Sequence, residues 1–198
     1  MADAYSALQK SMWGPLQDIA RIPIAKGKTI EERLSLIEEE AAVRDLLNRY
    51  TYFYDGGDLE GVMTVFADEC TLVNPRGTYI GAAAIKRNYA YLIGGRKLSF
   101  HYATNVMVRI LDGGKEAAMG AFYNSILAYP SRTLAQVGGT YADRLKKIGG
   151  EWKIIERRIT YNHRSRLAAD SPYDAAKPIP EPSRAETSRD WIEKDTMM

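Results

Sequence analysis

Apolar positions along this chain change their period once. Up to about residue 93 they mostly recur every three or four residues, as one face of a helix requires. From Leu98 onward they fall into long strand-like runs separated by glycine turns. Thr29-Ile30-Glu31-Glu32 is a capping box, in which the Thr hydroxyl and the Glu carboxylate satisfy free amides at a helix start. Ile30, Leu34, Ile37, Ala41, Leu46, Leu47 and Tyr50 then keep helical spacing, which predicts a helix from Thr29 to about Tyr54, stopped by Gly56-Gly57. Asp58 caps a second, short helix carrying Leu59, Val62, Met63 and Phe66.

A strand over Glu69–Val73 and a turn at Asn74-Pro75-Arg76-Gly77 come next. A third helix fits residues 81–93, with Ile85, Tyr89 and Leu92 on one face. Four strands follow, over Leu98–Leu111, Glu116–Tyr129, Thr133–Lys147 and Glu151–His163. Asp112-Gly113-Gly114 and Gly149-Gly150 supply hairpin turns between them. Helices followed by an antiparallel meander predict an α+β fold, with the helices packed on one face of a curved antiparallel sheet.

The folded domain is expected over residues 29–165. Residues 1–28 read as an N-terminal arm broken by Gly14, Pro15, Pro23 and Gly27, with room for a short helix near residues 3–12. Residues 166–198 read as an extended tail, because Pro172, Pro178, Pro180 and Pro182 stand among charged and small residues. Trp191 and Ile192 are its candidate anchors.

Composition narrows the function classes. Of 198 residues 45% are apolar, enough for one core with a cavity inside it. The net charge is +2 with no dense basic block, which argues against nucleic acid as a partner. No apolar run is long enough to span a membrane. The N-terminus lacks the apolar stretch of a signal peptide, and the single cysteine, Cys70, has no internal partner, so the cytoplasm is the expected compartment. Two histidines and one cysteine show no zinc spacing, no glycine-rich nucleotide loop follows a strand, and no Gly-x-Ser-x-Gly elbow is present. Thirteen tyrosines suit the wall of a pocket for an aromatic ligand, and they are also ordinary strand residues.

Three segments resemble the SnoaL-like branch of the NTF2-like fold. The first runs from Arg44-Asp45-Leu46-Leu47-Asn48-Arg49-Tyr50 through Asp55-Gly56-Gly57-Asp58 to Val65-Phe66-Ala67-Asp68. The second is Phe100-His101-Tyr102-Ala103-Thr104-Asn105-Val106. The third is Gly139-Thr140-Tyr141-Ala142-Asp143-Arg144-Leu145 with Gly150-Glu151-Trp152-Lys153-Ile154 and Arg157-Arg158. Each is weak alone; their order and spacing carry the resemblance. It implies a conical pocket, no metal, no organic cofactor, a small hydrophobic or aromatic substrate, and a homotrimer or homodimer. Members of this superfamily include dehydratases, a dehydrochlorinase, isomerases, lyases of lignin-derived diaryl compounds and proteins without catalysis, so the fold does not name the reaction.

Asp55 and His101 match the family's acid–base dyad by position, and Tyr50 matches a pocket tyrosine that serves as acid or hydroxyl donor. A histidine base titrates near neutrality and needs a carboxylate to fix its tautomer. Each also has a plainer reading: Asp55 as a helix-end turn residue, His101 as a satisfied core histidine, Tyr50 as core. Asn124 falls where relatives place a polar pocket residue, although a slip of one residue turns it to the other face. Phe53 and Tyr54 are expected at the pocket mouth. Tyr123 and Tyr129 share one strand face opposite Asn124, and alternation leaves open whether Arg158 or Tyr161 points inward. His163, near the end of the last strand, reads as solvated. The implied activity is that of a lyase on a small aromatic, such as a lignin-derived diaryl, or polycyclic substrate, by dehydration or by elimination of a one-carbon aldehyde. The alternatives are an isomerase of the same fold and a ligand-binding protein without chemistry.

Overall fold

A computed structural model describes residues 2–129 and 134–166, with the side chains of residues 2–9 and 12 excluded. The expected tail and its anchors Trp191 and Ile192 lie outside the described residues, as does Thr133. Among the described residues there are four α-helices: α1 (Ala2–Arg21), α2 (Ile30–Asp55), α3 (Leu59–Thr64) and α4 (Ala82–Gly94). The same residues hold six strands: β1 (Phe66–Asn74), β2 (Gly77–Ile80), β3 (Leu98–Leu111), β4 (Glu116–Ala128), β5 (Leu134–Ile148) and β6 (Glu151–Arg166). They form one curved, unclosed sheet in the order β2-β1-β6-β5-β4-β3.

Local chemistry sets the ends of α2 where the sequence places them. Thr29 accepts from the Glu32 amide at 3.2 Å, and the Glu32 carboxylate accepts from the Thr29 amide at 3.3 Å. At the other end the Gly56 amide donates to Tyr52. Asp58 then caps α3 by accepting from Gly61 at 2.8 Å. The apolar stripe along α2 is buried only from Val43 onward; Ile30, Leu34 and Ile37 at its N-terminal half are exposed.

Four features depart from the expected plan. First, residues 2–21 form a full helix with Pro15 inside it, where an arm with a short helix was expected. Packing opposes the proline's penalty: Leu16 and Ile19 are buried, and Trp13 meets the Phe122 ring edge-on at 5.4 Å. Second, α1 lies on the sheet face opposite the core, since a side chain at Gly120 would meet Leu16 and Ile19. The helices therefore cover both faces of the sheet, not one. Third, the sheet is mixed: β1 runs parallel to β6. Fourth, the turn after Asn74 leads into an unforeseen strand, β2, and Phe66 begins β1 instead of ending α3.

The meander β3 to β6 is antiparallel as expected. Gly149 and Gly150 both take positive φ, 60° and 87°, which a two-residue turn matching the strand twist demands. β6 carries two irregularities that matter below. Arg144 pairs with Glu156 while Leu145 pairs with Ile154, so Ile155 is an extra residue. Gly138 pairs with His163 while Gly139 pairs with Tyr161, so Asn162 is another.

The core lies between α2, α3, α4 and the inner sheet face, and it includes Leu46, Leu47, Ile85, Met119, Leu145 and Ile154. Glu39 of α2 ties this core to the closing hairpin: it accepts from Trp152 Nε1 at 2.7 Å and pairs with Lys147. Among the described residues no helix is long and apolar enough to cross a membrane.

Candidate active site

A cavity of about 170 Å³ opens between α2, α4 and the inner faces of β4, β5 and β6. The last turn of α2 supplies Tyr50 and Tyr54, four residues apart and hence on one helix face. Both are buried. α2 then ends on Asp55, which reaches the neighbouring strand β3 with both carboxylate oxygens. Oδ1 accepts from His101 Nδ1 at 2.6 Å, and Oδ2 accepts from the His101 backbone amide at 2.6 Å.

This double contact fixes the imidazole. An ionised carboxylate can only accept, so Nδ1 carries the proton and Nε2 is left as the acceptor of the neutral ring. Burial pushes the Asp55 carboxyl up, but hydrogen bonds and charge from His101 outweigh it and hold the value below the ordinary 3.8. The His101 side chain is 6% exposed and that of Asp55 19%, so the contact is largely shielded from water. The ring edge of Tyr54 abuts His101 at 4.8 Å and 89°. His101 lines the cavity.

Tyrosine is the commonest residue in the wall. Tyr89 of α4 donates its hydroxyl to that of Tyr50 at 3.3 Å, which leaves the Tyr50 proton available to a second acceptor. Tyr123 stacks on Tyr141 at 4.5 Å and donates to the Thr160 carbonyl at 3.1 Å. Burial pushes the Tyr54, Tyr89, Tyr123 and Tyr141 hydroxyls well above their ordinary range, so each stays a neutral phenol. Tyr129 and Tyr161 also line the cavity, Tyr161 at its 40% exposed rim. Asn88 of α4 faces the cavity with a buried Nδ2 that has no partner among the described residues.

Beneath the tyrosines lies a buried ion pair. Arg157 donates to Asp143 through Nε at 2.9 Å and Nη2 at 2.6 Å, with both side chains fully buried. Its guanidinium lies 4.2 Å from the centre of the Tyr50 ring and 4.7 Å from that of Tyr141. Burial lowers the Arg157 value, and the Asp143 carboxylate overrides it, so the cation is retained.

Three expected site residues fall elsewhere. Phe53 does not line the cavity; it packs against Gly61 of α3, one helix position off the Tyr50–Tyr54 face. Asn124 shares the outer sheet face with Gly120 and Phe122, the face that α1 covers. Arg158 points outward and pairs with Glu156 at 3.0 Å. The cause is the extra residue Ile155. Trp152 and Ile154 point inward before it, and Arg157, Ile159 and Tyr161 after it, so a single alternation cannot describe β6. His163 is exposed, as a strand-end residue should be. Tyr89, Tyr141, Asn88 and the arginines of the mouth were not expected at the site. Only Tyr89 carried a signal, through its shared helical face with Ile85.

A SnoaL-like domain family matches residues 35–158. No curated protein sequence matches the chain. Among solved structures, a protein provisionally assigned as scytalone dehydratase from Novosphingobium aromaticivorans DSM 12444 superposes with a TM-score of 0.63 at 20% identity, covering 68% of this chain and 91% of the other. LinA superposes with a TM-score of 0.65 at 16% identity, covering 69% and 95%. Hexachlorocyclohexane dehydrochlorinase LinA-type3 from Novosphingobium barchaimii LL02 gives 0.61 at 16% identity, covering 69% and 94%. At these identities the likeness is one of fold, that of the NTF2-like superfamily.

Proposed function

The chain belongs to the SnoaL-like domain family, and on that premise we propose that it is a lyase acting on a small aromatic substrate through Asp55 and His101. One observation carries the proposal: Asp55 holds His101 by ring and backbone together, beside a tyrosine-lined cavity. That arrangement gives a base with one defined basic nitrogen, Nε2, and a carboxylate ready to stabilise the imidazolium formed when it takes a proton.

In a dehydration, Nε2 removes a carbon-bound proton beside the leaving hydroxyl. The C–H electron pair becomes the new double bond, the C–O bond breaks, and Tyr50 gives its proton to the departing oxygen so that water leaves. The proton on His101 then restores Tyr50 directly or through solvent. In elimination of formaldehyde, Nε2 instead takes the proton of a primary hydroxyl. The O–H pair forms the aldehyde carbonyl, the adjacent C–C bond breaks, and the released carbanion is protonated. The Tyr50 hydroxyl, held by Tyr89, supports either route as the acid. Asn88 Nδ2, without a partner among the described residues, would donate to a substrate oxygen.

Size narrows the substrate. A cavity of about 150 Å³ in another protein holds one benzene ring. The present cavity, about 170 Å³, therefore suits one substituted ring, with the rest of the molecule extending to the mouth. The test is turnover of hydroxylated phenyl and diaryl compounds by wild type and His101→Ala, with product masses recorded. Loss of water or of formaldehyde, abolished in the variant, is the expected result. Isomerised product of unchanged mass would replace the lyase with an isomerase, and binding without turnover would replace it with a ligand-binding protein.

A further inference from the structure

The charge around the cavity is one-sided. Arg76, Arg96 and Arg164 line it, and no aspartate or glutamate does. Asp55 does not offset them, because both its oxygens are committed to His101. The three arginines come from separate places: the β1–β2 turn, the α4–β3 connection and the far end of β6. Among the described residues none of them pairs with a carboxylate, in contrast to the sealed Arg157–Asp143 pair below. A cavity with three cations and no acid attracts anions and repels cations.

Their posture suits capture of an anion. Arg76 stacks over Tyr91 at 4.3 Å, Arg96 over Tyr54 at 5.0 Å and Arg164 over Tyr129 at 6.0 Å. The Tyr91 and Tyr54 hydroxyls also accept from Arg76 and Arg96, but a guanidinium carries five N–H donors, so others remain to grip a carboxylate or phosphate two at a time. Arg96 is the half-buried member, so it loses hydration without gaining an acidic partner. The tyrosine it covers, Tyr54, also touches His101, which puts Arg96 at the junction of the mouth and the dyad.

We infer that the substrate is an anionic aromatic compound: its ring enters the tyrosine cavity and a carboxylate or phosphate, remote from the bond that breaks, is held at the mouth by Arg96 together with Arg76 and Arg164. This inference takes the substrate's ring position from the lyase reading above, but its readout is binding and needs no turnover.

The test uses the full chain and a matched series on one phenyl scaffold: a carboxylate, its uncharged amide and the corresponding phosphate, with affinities measured by calorimetry. Wild type should bind the carboxylate or the phosphate at least about tenfold more tightly than the amide, the discrimination of a charge-assisted contact, and which of the two binds better identifies the anion. The preference should fall in Arg96→Gln, fall further in Arg76→Gln/Arg96→Gln/Arg164→Gln, and be partly kept in Arg96→Lys, which retains the charge without the two-pronged grip. His101→Ala should keep it, so a protein that binds anions but turns over nothing defeats the lyase reading alone. Equal binding of amide and anions by wild type, or a preference that survives the triple replacement in a variant with an unchanged melting temperature, overturns the inference.

Discussion

Asp55 grips His101 by two atoms at once, the ring Nδ1 and the backbone amide, each at 2.6 Å. A ring held only through Nδ1 swings about that bond. Anchoring the backbone of the same residue removes most of the swing and fixes where Nε2 points.

Replacing either partner should therefore separate two effects. His101→Ala removes the base and is expected to lower kcat/KM by about 10²–10⁴-fold, the usual worth of a positioned general base. Asp55→Asn keeps an acceptor near Nδ1 but loses the charge, so kcat should fall with little change in KM. Steady-state kinetics on any turned-over substrate checks both; an Asp55→Asn variant with wild-type kcat contradicts the dyad.

Acid stability follows from the same carboxyl. Its folded value lies below the ordinary 3.8. A group depressed on folding stabilises the fold above its unfolded value and loses that contribution as pH falls through the folded one. The stability gap between wild type and Asp55→Asn, measured by urea unfolding, should be full at pH 7 and shrink below about pH 3.8. A gap that stays constant down to pH 2 would show that Asp55 is not ionised in the folded protein.

The Arg157–Asp143 pair is fully buried on both sides. Removing one partner strands the other charge, so Asp143→Leu or Arg157→Met should each cost about 3–5 kcal/mol. Removing both, as Arg157→Met with Asp143→Leu, should recover much of that loss. A double-mutant cycle by urea unfolding measures it, and additive losses would deny the coupling. Because Tyr50 and Tyr141 rest on the guanidinium, the double variant should regain stability without regaining full activity.

Two glycines should respond in opposite directions to alanine. At Gly139 a Cβ would fall 1.8 Å from the Thr160 carbonyl, a backbone atom beside the second irregularity of β6. Gly139→Ala should cost several kcal/mol, roughly the scale of severe overpacking. At Gly94, the last residue of α4, a Cβ meets nothing within 4 Å. Gly94→Ala should stabilise by about 0.5–1 kcal/mol. Thermal unfolding of the two variants is sufficient to test the contrast.

What the sequence disclosed was what local chemistry decides. The capping box at Thr29, the stop at Gly56 and the glycine turns at residues 113–114 and 149–150 are written in neighbouring residues. The pairing of Asp55 with His101 came from resemblance, and the two side chains do meet. What escaped needed contacts between distant segments. The parallel β1–β6 pairing has no local signature. Helix α1 depends on the sheet it covers to outweigh Pro15. The inward turn of Arg157, and the outward turn of Arg158, depend on Ile155 finding no partner in β5. Asn124 fell on the wrong side because even positions of β4 face α1. The arginines of the mouth are scattered over 89 residues of sequence, from Arg76 to Arg164 counted inclusively, and only the fold collects them.

The grip of Asp55 on a backbone amide has a second consequence. Strand β3 is the outermost strand on one side of an open sheet, and unpaired N–H and C=O groups there invite a foreign strand to add. Helix α2 runs alongside and answers two of them: Asp55 takes the His101 N–H, and Arg44 donates to the Val106 carbonyl at 2.8 Å. The same carboxylate that orients the imidazole thus helps keep one molecule from being stitched to the next. Truncating residue 55 would expose a seam for intermolecular β-pairing beside Phe100 and Tyr102, both already open to solvent. Selection against aggregation and selection for acid–base chemistry would then act on one side chain.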